Sequence, residues 1–269
     1  MTAERSGRLR LTVLGCSSAV PHAASPAAGF LIDWEGTSVL LDAGQGVVRR
    51  LERLMDPRDL AGAVIGHMHA DHFLDLAGLR YVFPWGEEAP IRLPLHLPPG
   101  GGRRMDALAE AISERPHFFD AAYAIDEYDP DAPLVIGPFT ISFRRGRHYI
   151  PAWAMSVETP DGARLVYTGD TGPSDAMVEF AREADMLLVE AGLRTDADDD
   201  PERGHLTAEE AIGMAISAQA RETLLVHYAP ARRAELDAMC DAADAVIRPA
   251  VAGLVRTISP RLEVADRIA

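Results

Sequence analysis

The sequence predicts an α/β fold in which two β-sheets pack on each other with helices outside. Three observations carry that reading. Short apolar runs separated by Gly, Pro and Ser open the chain, strands then alternate with helical patterns twice over, and no linker or low-complexity tract divides it. At 269 residues, 48% hydrophobic and 25% charged, the chain has an ordinary globular composition with ample core material. It is read as a single domain spanning residues 1–269.

The elements follow in order. Residues 9–14, 29–34 and 37–42 read as strands, with Glu35-Gly36 as a tight hairpin turn between the last two. After Gly46, the apolar positions Val47, Leu51 and Leu54 have helical spacing, and Asp56-Pro57 ends that helix. Residues 61–66 form a buried strand. Pro84, Pro90, Pro94, Pro98 and Pro99 with Gly100 to Gly102 mark loops around a short strand at 93–97, and 105–112 is an amphipathic helix. Strands return at 139–143, 154–158 and 164–168. Ser174 caps a helix over 174–183, and 185–190 is a strand. Thr207, with Glu210 three residues later, forms a capping box for another helix. A strand at 222–226, a helix at 232–246 and a strand at 254–258 complete the pattern. The acidic segments 126–133 and 196–202 read as solvated loops, the second lying close to His205.

Composition excludes several chemistries. All 26 residues in the Lys+Arg total are Arg, so there is no Schiff-base lysine, no lysine general base and no phosphate-loop lysine. The absence of G-x-S-x-G disfavours an elbow-type serine hydrolase. A formal charge of −15 argues against gripping nucleic acid as the main task. Cys16 and Cys240 form neither a disulfide framework nor a C-x-x-C pair, which suits a reducing cytosol. There is no secretory apolar core at the N-terminus and no apolar stretch approaching the ~18 residues that would cross a bilayer. A cytoplasmic protein with no membrane partner is expected.

The informative stretch is Gly66-His67-Met68-His69-Ala70-Asp71-His72. Imidazole is the commonest biological ligand for zinc-like metals, and carboxylate is a good second type. In an extended segment His67 and His69 point the same way, while Asp71 and His72 lie past the turn, at the start of a helix, and can face a second ion. Two metals need more ligands, and these belong where strands end. His148, Asp170 and His227 each close an apolar run, which is costly for a polar group unless it finds a partner.

His67-Met68-His69-Ala70-Asp71-His72 resembles the H-x-H-x-D-H motif of the metallo-β-lactamase-fold hydrolases. The other family motifs follow in order: Asp42 in LLDAGQG, His148, Asp170 in YTGDT, His205 in GHLTAEEA and His227 in LVHYAP. The resemblance implies a four-layer αββα sandwich with a two-metal site at the edge of its sheets. It assigns His67, His69 and His148 to one metal and Asp71, His72 and His227 to the other. Asp170 would bridge them, and Asp42 would orient ligand histidines by hydrogen bonding. LLDAGQG and the histidine before a helix resemble the ribonuclease Z-like phosphodiesterase branch, which implies a homodimer. Departures from ribonuclease Z itself include Tyr228-Ala229-Pro230 after His227 and the lack of a long Gly/Lys-rich arm. With the acidic charge, these argue against strong tRNA binding.

The function expected is therefore a dinuclear metal-dependent phosphodiesterase acting on a nucleotide or RNA substrate through a hydroxide bridging two divalent ions about 3.5–4 Å apart. Zinc is favoured, and manganese and iron also fit. Asp71 would orient the nucleophile, and His205 would stabilise the phosphorane or protonate the leaving group. The alternatives are ribonuclease Z proper, a lactonase or arylsulfatase on the same metals, and a non-catalytic metal-binding protein. Arg144, Arg145 and Arg147 could recognise phosphate or simply form a solvated strand edge. Trp85 and Trp153 could line a substrate mouth or pack in the core, and His22, His96 and His117 are read as structural or surface residues.

Overall fold

The computed structural model describes residues 7–84, 92–113, 118–199, 202–243 and 245–261. Fourteen strands are found among them: β1 (Leu9–Gly15), β2 (Gly29–Trp34), β3 (Thr37–Leu41), β4 (Gly62–Val64), β5 (Leu93–Leu97), β6 (Tyr123–Glu127), β7 (Leu134–Ile136), β8 (Phe139–Arg145), β9 (Trp153–Glu158), β10 (Arg164–Tyr167), β11 (Met186–Glu190), β12 (Glu222–Val226), β13 (Ile247–Pro249) and β14 (Val255–Ile258). The helices are α1 (Val47–Leu51), α2 (Ala70–Phe73), α3 (Leu76–Leu79), α4 (Gly101–Ile112), α5 (Asp175–Phe180), α6 (Ala208–Ser217) and α7 (Arg233–Asp241).

Two sheets hold the strands, in the orders β14-β1-β2-β3-β4-β5-β6 and β13-β12-β11-β10-β9-β8-β7. Each begins antiparallel and ends parallel. In the first, β1, β2 and β3 form a meander and β3 to β6 run parallel. In the second, β7 to β10 alternate in direction and β10 to β13 run parallel. Glu35 and Gly36, at φ 50° and 87°, turn β2 into β3 through the left-handed region that a tight two-residue hairpin requires.

Strand periodicity divides the apolar residues among three cores. Leu9, Leu11, Phe30, Ile32, Val39 and Leu41 of the first sheet meet Met155, Val157, Met186 and Leu188 of the second in a central layer. Between them in sequence, Leu31 and Leu40 face outward onto α1 and α3, where Val47, Leu51 and Leu76 cover them. Leu187, Val189 and Leu225 likewise face Ala211, Met214 and Leu236 of α6 and α7. Burial of both faces is why these strands read as unbroken apolar runs. The result is the four-layer αββα sandwich expected.

Several elements differ from expectation. The segment 126–133, expected as a loop, begins inside β6. That strand is the edge of its sheet, so Asp126 and Glu127 stay solvated while their backbones pair with β5. The helix at 105–112 starts at Gly101, because Gly100 at φ 82° takes the left-handed turn into it. The expected helix at 174–183 closes at Phe180, although Ser174 accepts from the Met177 amide as its cap. That at 232–246 ends at Asp241, releasing Ile247–Pro249 to pair with β12. Trp85 and His117 lie outside the described residues.

Candidate metal centre

Each candidate side chain sits at or just beyond the carboxyl end of a strand. Asp42 follows β3, residues 67–72 follow β4, His148 follows β8, Asp170 follows β10 and His227 follows β12. β3 and β4 are parallel, and β8, β10 and β12 share one direction, so these ends open along one edge of each sheet. The Trp153 amide donates to the Gly66 carbonyl at 3.1 Å, which fastens the two edges together. His69 is still extended (φ −84°, ψ 148°) and α2 starts at the next residue, so Asp71 and His72 occupy its first turn.

Two groups of donor atoms hold the expected residues, each lying within 4.8 Å: His67, His69, His148 and Asp170, and then Asp71, His72, Asp170 and His227; a third joins Glu190, His205 and His227. His69 Nδ1 is 2.9 Å from His148 Nε2, and Asp170 Oδ2 is 3.5 Å from His67 Nε2 and 3.9 Å from His148 Nε2. In the second group, Asp71 Oδ2 is 3.0 Å from His227 Nε2 and 3.5 Å from His72 Nε2, while Asp170 lies 3.3 Å from His72 and 3.4 Å from His227. All seven expected positions therefore come together, with Asp170 common to both groups.

Neighbouring residues set the ring orientations. Asp42, fully buried, accepts from Gly66 N at 2.8 Å, His72 Nδ1 at 2.7 Å and Tyr167 Oη at 2.9 Å. His148 donates Nδ1–H to the Gly204 carbonyl at 2.8 Å. The bond to Asp42 leaves the lone pair of His72 Nε2 aimed at Asp71 and Asp170, and that to Gly204 leaves the lone pair of His148 Nε2 beside His69 and Asp170. Asp42 and His227 reach their places with φ of 58° and 53°, strained for side-chain-bearing residues. Gly44 is a matter of space: a Cβ there would lie 1.9 Å from the Asp71 carbonyl oxygen.

The donor set fits divalent cations. Both ring nitrogens of His67, Nε2 of His72, Oδ1 of Asp170 and Nδ1 of His227 are buried with no hydrogen-bond partner among the described residues. A buried orphan of this kind costs about 1–3 kcal/mol. Burial drives the His67, His69 and His148 pKa values down, leaving neutral rings. At His72 and His227 burial is outweighed by Asp170, helped by Asp42 at His72 and by Asp71 at His227, so the field there favours positive charge. Burial would raise Asp71, but hydrogen bonds from His227 and His72 hold its carboxyl below the usual range.

His205 lies beside both groups, its ring stacked 5.3 Å from that of His227 and its Nδ1 4.0 Å from Asp170 Oδ2. Nδ1 is 2.8 Å from Glu190 Oε1. Burial disfavours the charged ring, but the bond to Glu190 and its charge outweigh that and lift the His205 pKa to about 9. Asp199, from the acidic 196–202 segment, accepts from Gly204 N at 3.1 Å, which sets that segment next to His205 as expected.

Glu190 is the residue that sequence reasoning missed. It is fully buried, ends β11 and also accepts from the amides of Thr171 and Gly192, each at 2.9 Å. Its signal was present, since a carboxylate closing the apolar run MLLVE meets the test applied to Asp170. Tyr167 had no such mark, being one more large residue in a strand. Among the remaining candidates, Arg144 stacks over the Phe180 ring at 5.7 Å, and Arg145 and Arg147 are exposed. Trp153 packs in the central core. His22 is exposed and His96 partly buried, with neither in the donor groups.

A layered αββα sandwich with a His/Asp cluster at the shared edge of its sheets defines a metallo-hydrolase of the metallo-β-lactamase fold. The family model described as the Beta-lactamase superfamily domain matches residues 37–228, and the chain belongs to that superfamily. It is 37% identical over 231 residues to the uncharacterized protein ML1173 of Mycobacterium leprae, covering 82% of this chain and 78% of that one. It is 30% identical over 268 residues to a protein named Ribonuclease Z of Natronomonas pharaonis, covering 81% and 86%. The probable metallo-hydrolase YhfI of Bacillus subtilis is 30% identical over 222 residues (81% and 86%). The crystal structure of YhfI superposes with a TM-score of 0.79 at 26% identity, covering 93% of this chain and 99% of that one.

Proposed function

We propose that the chain is a dinuclear metal-dependent phosphodiesterase acting on a nucleotide or RNA phosphodiester. The observation that carries this reading is the pair of donor groups sharing Asp170, with the Glu190–His205 pair at their margin. His67, His69 and His148 would hold one ion and Asp71, His72 and His227 the other, with Asp170 touching both. Ions held there would supply a water of lowered pKa, about 7, and would draw charge from a phosphoryl oxygen. Five imidazoles and two carboxylates suit zinc, with manganese and iron as other outcomes of a metal analysis.

The chain's own groups do the rest. Asp42 holds the proton of His72 on Nδ1, and Gly204 does the same for His148. Asp71 turns Oδ2 to His227 and His72, which leaves Oδ1 with which to orient an attacking water. Glu190 favours the doubly protonated His205 ring, whose Nε2–H can be handed to the departing alkoxide oxygen. Glu190 thus acts through His205 and sets its proton.

The test is metal analysis coupled to turnover of a chromogenic phosphodiester, a lactone and a sulfate ester. Hydrolysis of the diester with about two ions per chain supports the proposal. Preference for either other ester transfers the site to the lactonase or arylsulfatase reading, and a filled site inactive on all three leaves a metal-binding protein. Ribonuclease Z proper is the second reading, favoured by the 30% identity to the Natronomonas protein of that name. Cleavage of a tRNA precursor against that of a cyclic nucleotide separates the two, and the charge of −15 weighs against strong tRNA binding. A cytoplasmic homodimer belongs to the same proposal, and light scattering reads its oligomeric state. Among the described residues no helix is long and apolar enough to cross a membrane.

A further inference from the structure

We propose that a basic cavity beside the metal centre is a subsite for a second phosphate group of the substrate, an inference that rests on the phosphodiesterase reading. The cavity, of about 540 Å³, lies between the segment 19–27 and the start of α1, and is lined by Arg49, Arg50 and Arg53 together with His22 and Gln45. That volume lies within the range of small-ligand sites.

Some arginines of the chain meet carboxylates, as Arg164 does Glu158 at 3.7 Å and Arg203 does Glu210 at 2.6 Å, whereas here three without one gather around a single hollow. Arg49, Arg50 and Arg53 have no carboxylate partner among the described residues, in a chain with 41 acidic side chains against 26 basic ones. Three guanidinium groups around one hollow repel each other unless an anion joins them. Arginine stays charged at every working pH and grips phosphate through two parallel N–H bonds.

The cavity borders the metal centre. In its wall the Gln45 carbonyl accepts from the Ala27 amide at 3.1 Å, two residues after Ala43, whose own amide donates to the His72 carbonyl at 2.6 Å. The subsite would take a phosphate of the same nucleotide chain as the scissile one. None of the three arginines belongs to the donor groups at the centre.

The experiment compares kcat/KM for a dinucleotide carrying a terminal phosphate with that for the same dinucleotide without it, using Arg49→Ala, Arg50→Ala, Arg53→Ala and the triple variant. The preference for the phosphorylated substrate is expected to fall about tenfold for a single variant, through KM, and further for the triple. An unchanged preference overturns the proposal, as does an equal loss on both substrates. If the unaltered enzyme cleaves neither diester, the phosphodiesterase reading has failed, and calorimetry with inorganic pyrophosphate judges the cavity alone. A binding event that the triple variant lacks while keeping its native circular dichroism upholds the subsite. Identical binding by both proteins overturns it.

Discussion

Replacing Asp42 by Asn tests how the metal centre is held without touching a proposed ligand. The carboxylate accepts three hydrogen bonds, from Gly66 N (2.8 Å), His72 Nδ1 (2.7 Å) and Tyr167 Oη (2.9 Å), with no exposure to solvent. An Asn side chain keeps one acceptor, enough for Gly66, and sets an NH₂ against His72 and Tyr167. Two hydrogen bonds to a charged acceptor are lost, at about 1.5–3 kcal/mol each, so roughly 3–6 kcal/mol is at stake before relaxation. His72 relieves half of the conflict by moving its proton to Nε2, the nitrogen that faces Asp71 and Asp170 at 3.5 and 3.3 Å. That proton then competes with a metal ion for the same lone pair. Because Asn tolerates the left-handed backbone found here (φ 58°), backbone strain does not confuse the result. The expected outcome is a 10–100-fold loss of metal affinity, the range typical of removing such an outer partner. A net loss of about 3 kcal/mol would lower Tm by roughly 6–12 °C. Competition with a chelating dye and differential scanning fluorimetry measure the two. Unaltered metal affinity in a folded variant would refute the claim that Asp42 sets the His72 tautomer.

Four other outcomes are expected. His205→Ala should lower phosphodiester turnover about 10²–10⁴-fold with metal content preserved, and Glu190→Gln should give a smaller loss; full turnover with full metal would remove His205 from the chemistry. Gly44→Ala should unseat the centre, since its Cβ would overlap the Asp71 carbonyl at 1.9 Å, and metal content with Tm reads the damage. Chelation should abolish hydrolysis and lower Tm, with zinc restoring both, because an ion bound only by the folded chain stabilises it. In metal-free protein, Asp71 and Asp170 are held below the usual carboxyl range despite their burial by the histidines facing them. Their stabilisation is complete above about pH 4 and is lost as pH falls further, so a melting series that stays flat below pH 4 would contradict it.

The sequence reveals most where burial is complete. Strands such as β2 and β11 lie between two cores, so their runs Phe30-Leu31-Ile32 and Met186-Leu187-Leu188-Val189 are apolar on both faces and plain to read. β6 was obscured by Asp126 and Glu127, which an edge strand tolerates on its open side, and β13 by a proline within three residues. His67, His69, Asp71 and His72 were legible as a dense cluster of ligand-type residues, and His148, Asp170 and His227 because polar groups closing apolar runs are anomalous. Glu190 carried the same anomaly and was passed over, its neighbour being distant in sequence: the contact with His205 arises only once β11 and the segment before α6 meet. The gathering of Arg49, Arg50 and Arg53 around one cavity was equally hidden, since arginines on and just after a helix look alike whether they border water or a cavity.

The pairing of β14 with β1 has a consequence for how this chain is made. When the ribosome has delivered the first sheet, Leu9 to Leu14 still lack one neighbour, and that neighbour is more than 240 residues away in synthesis. Until it emerges, an apolar strand stands with a bare hydrogen-bonding rim, open to any other nascent chain. Slow translation of the second half would therefore lengthen exposure of the first.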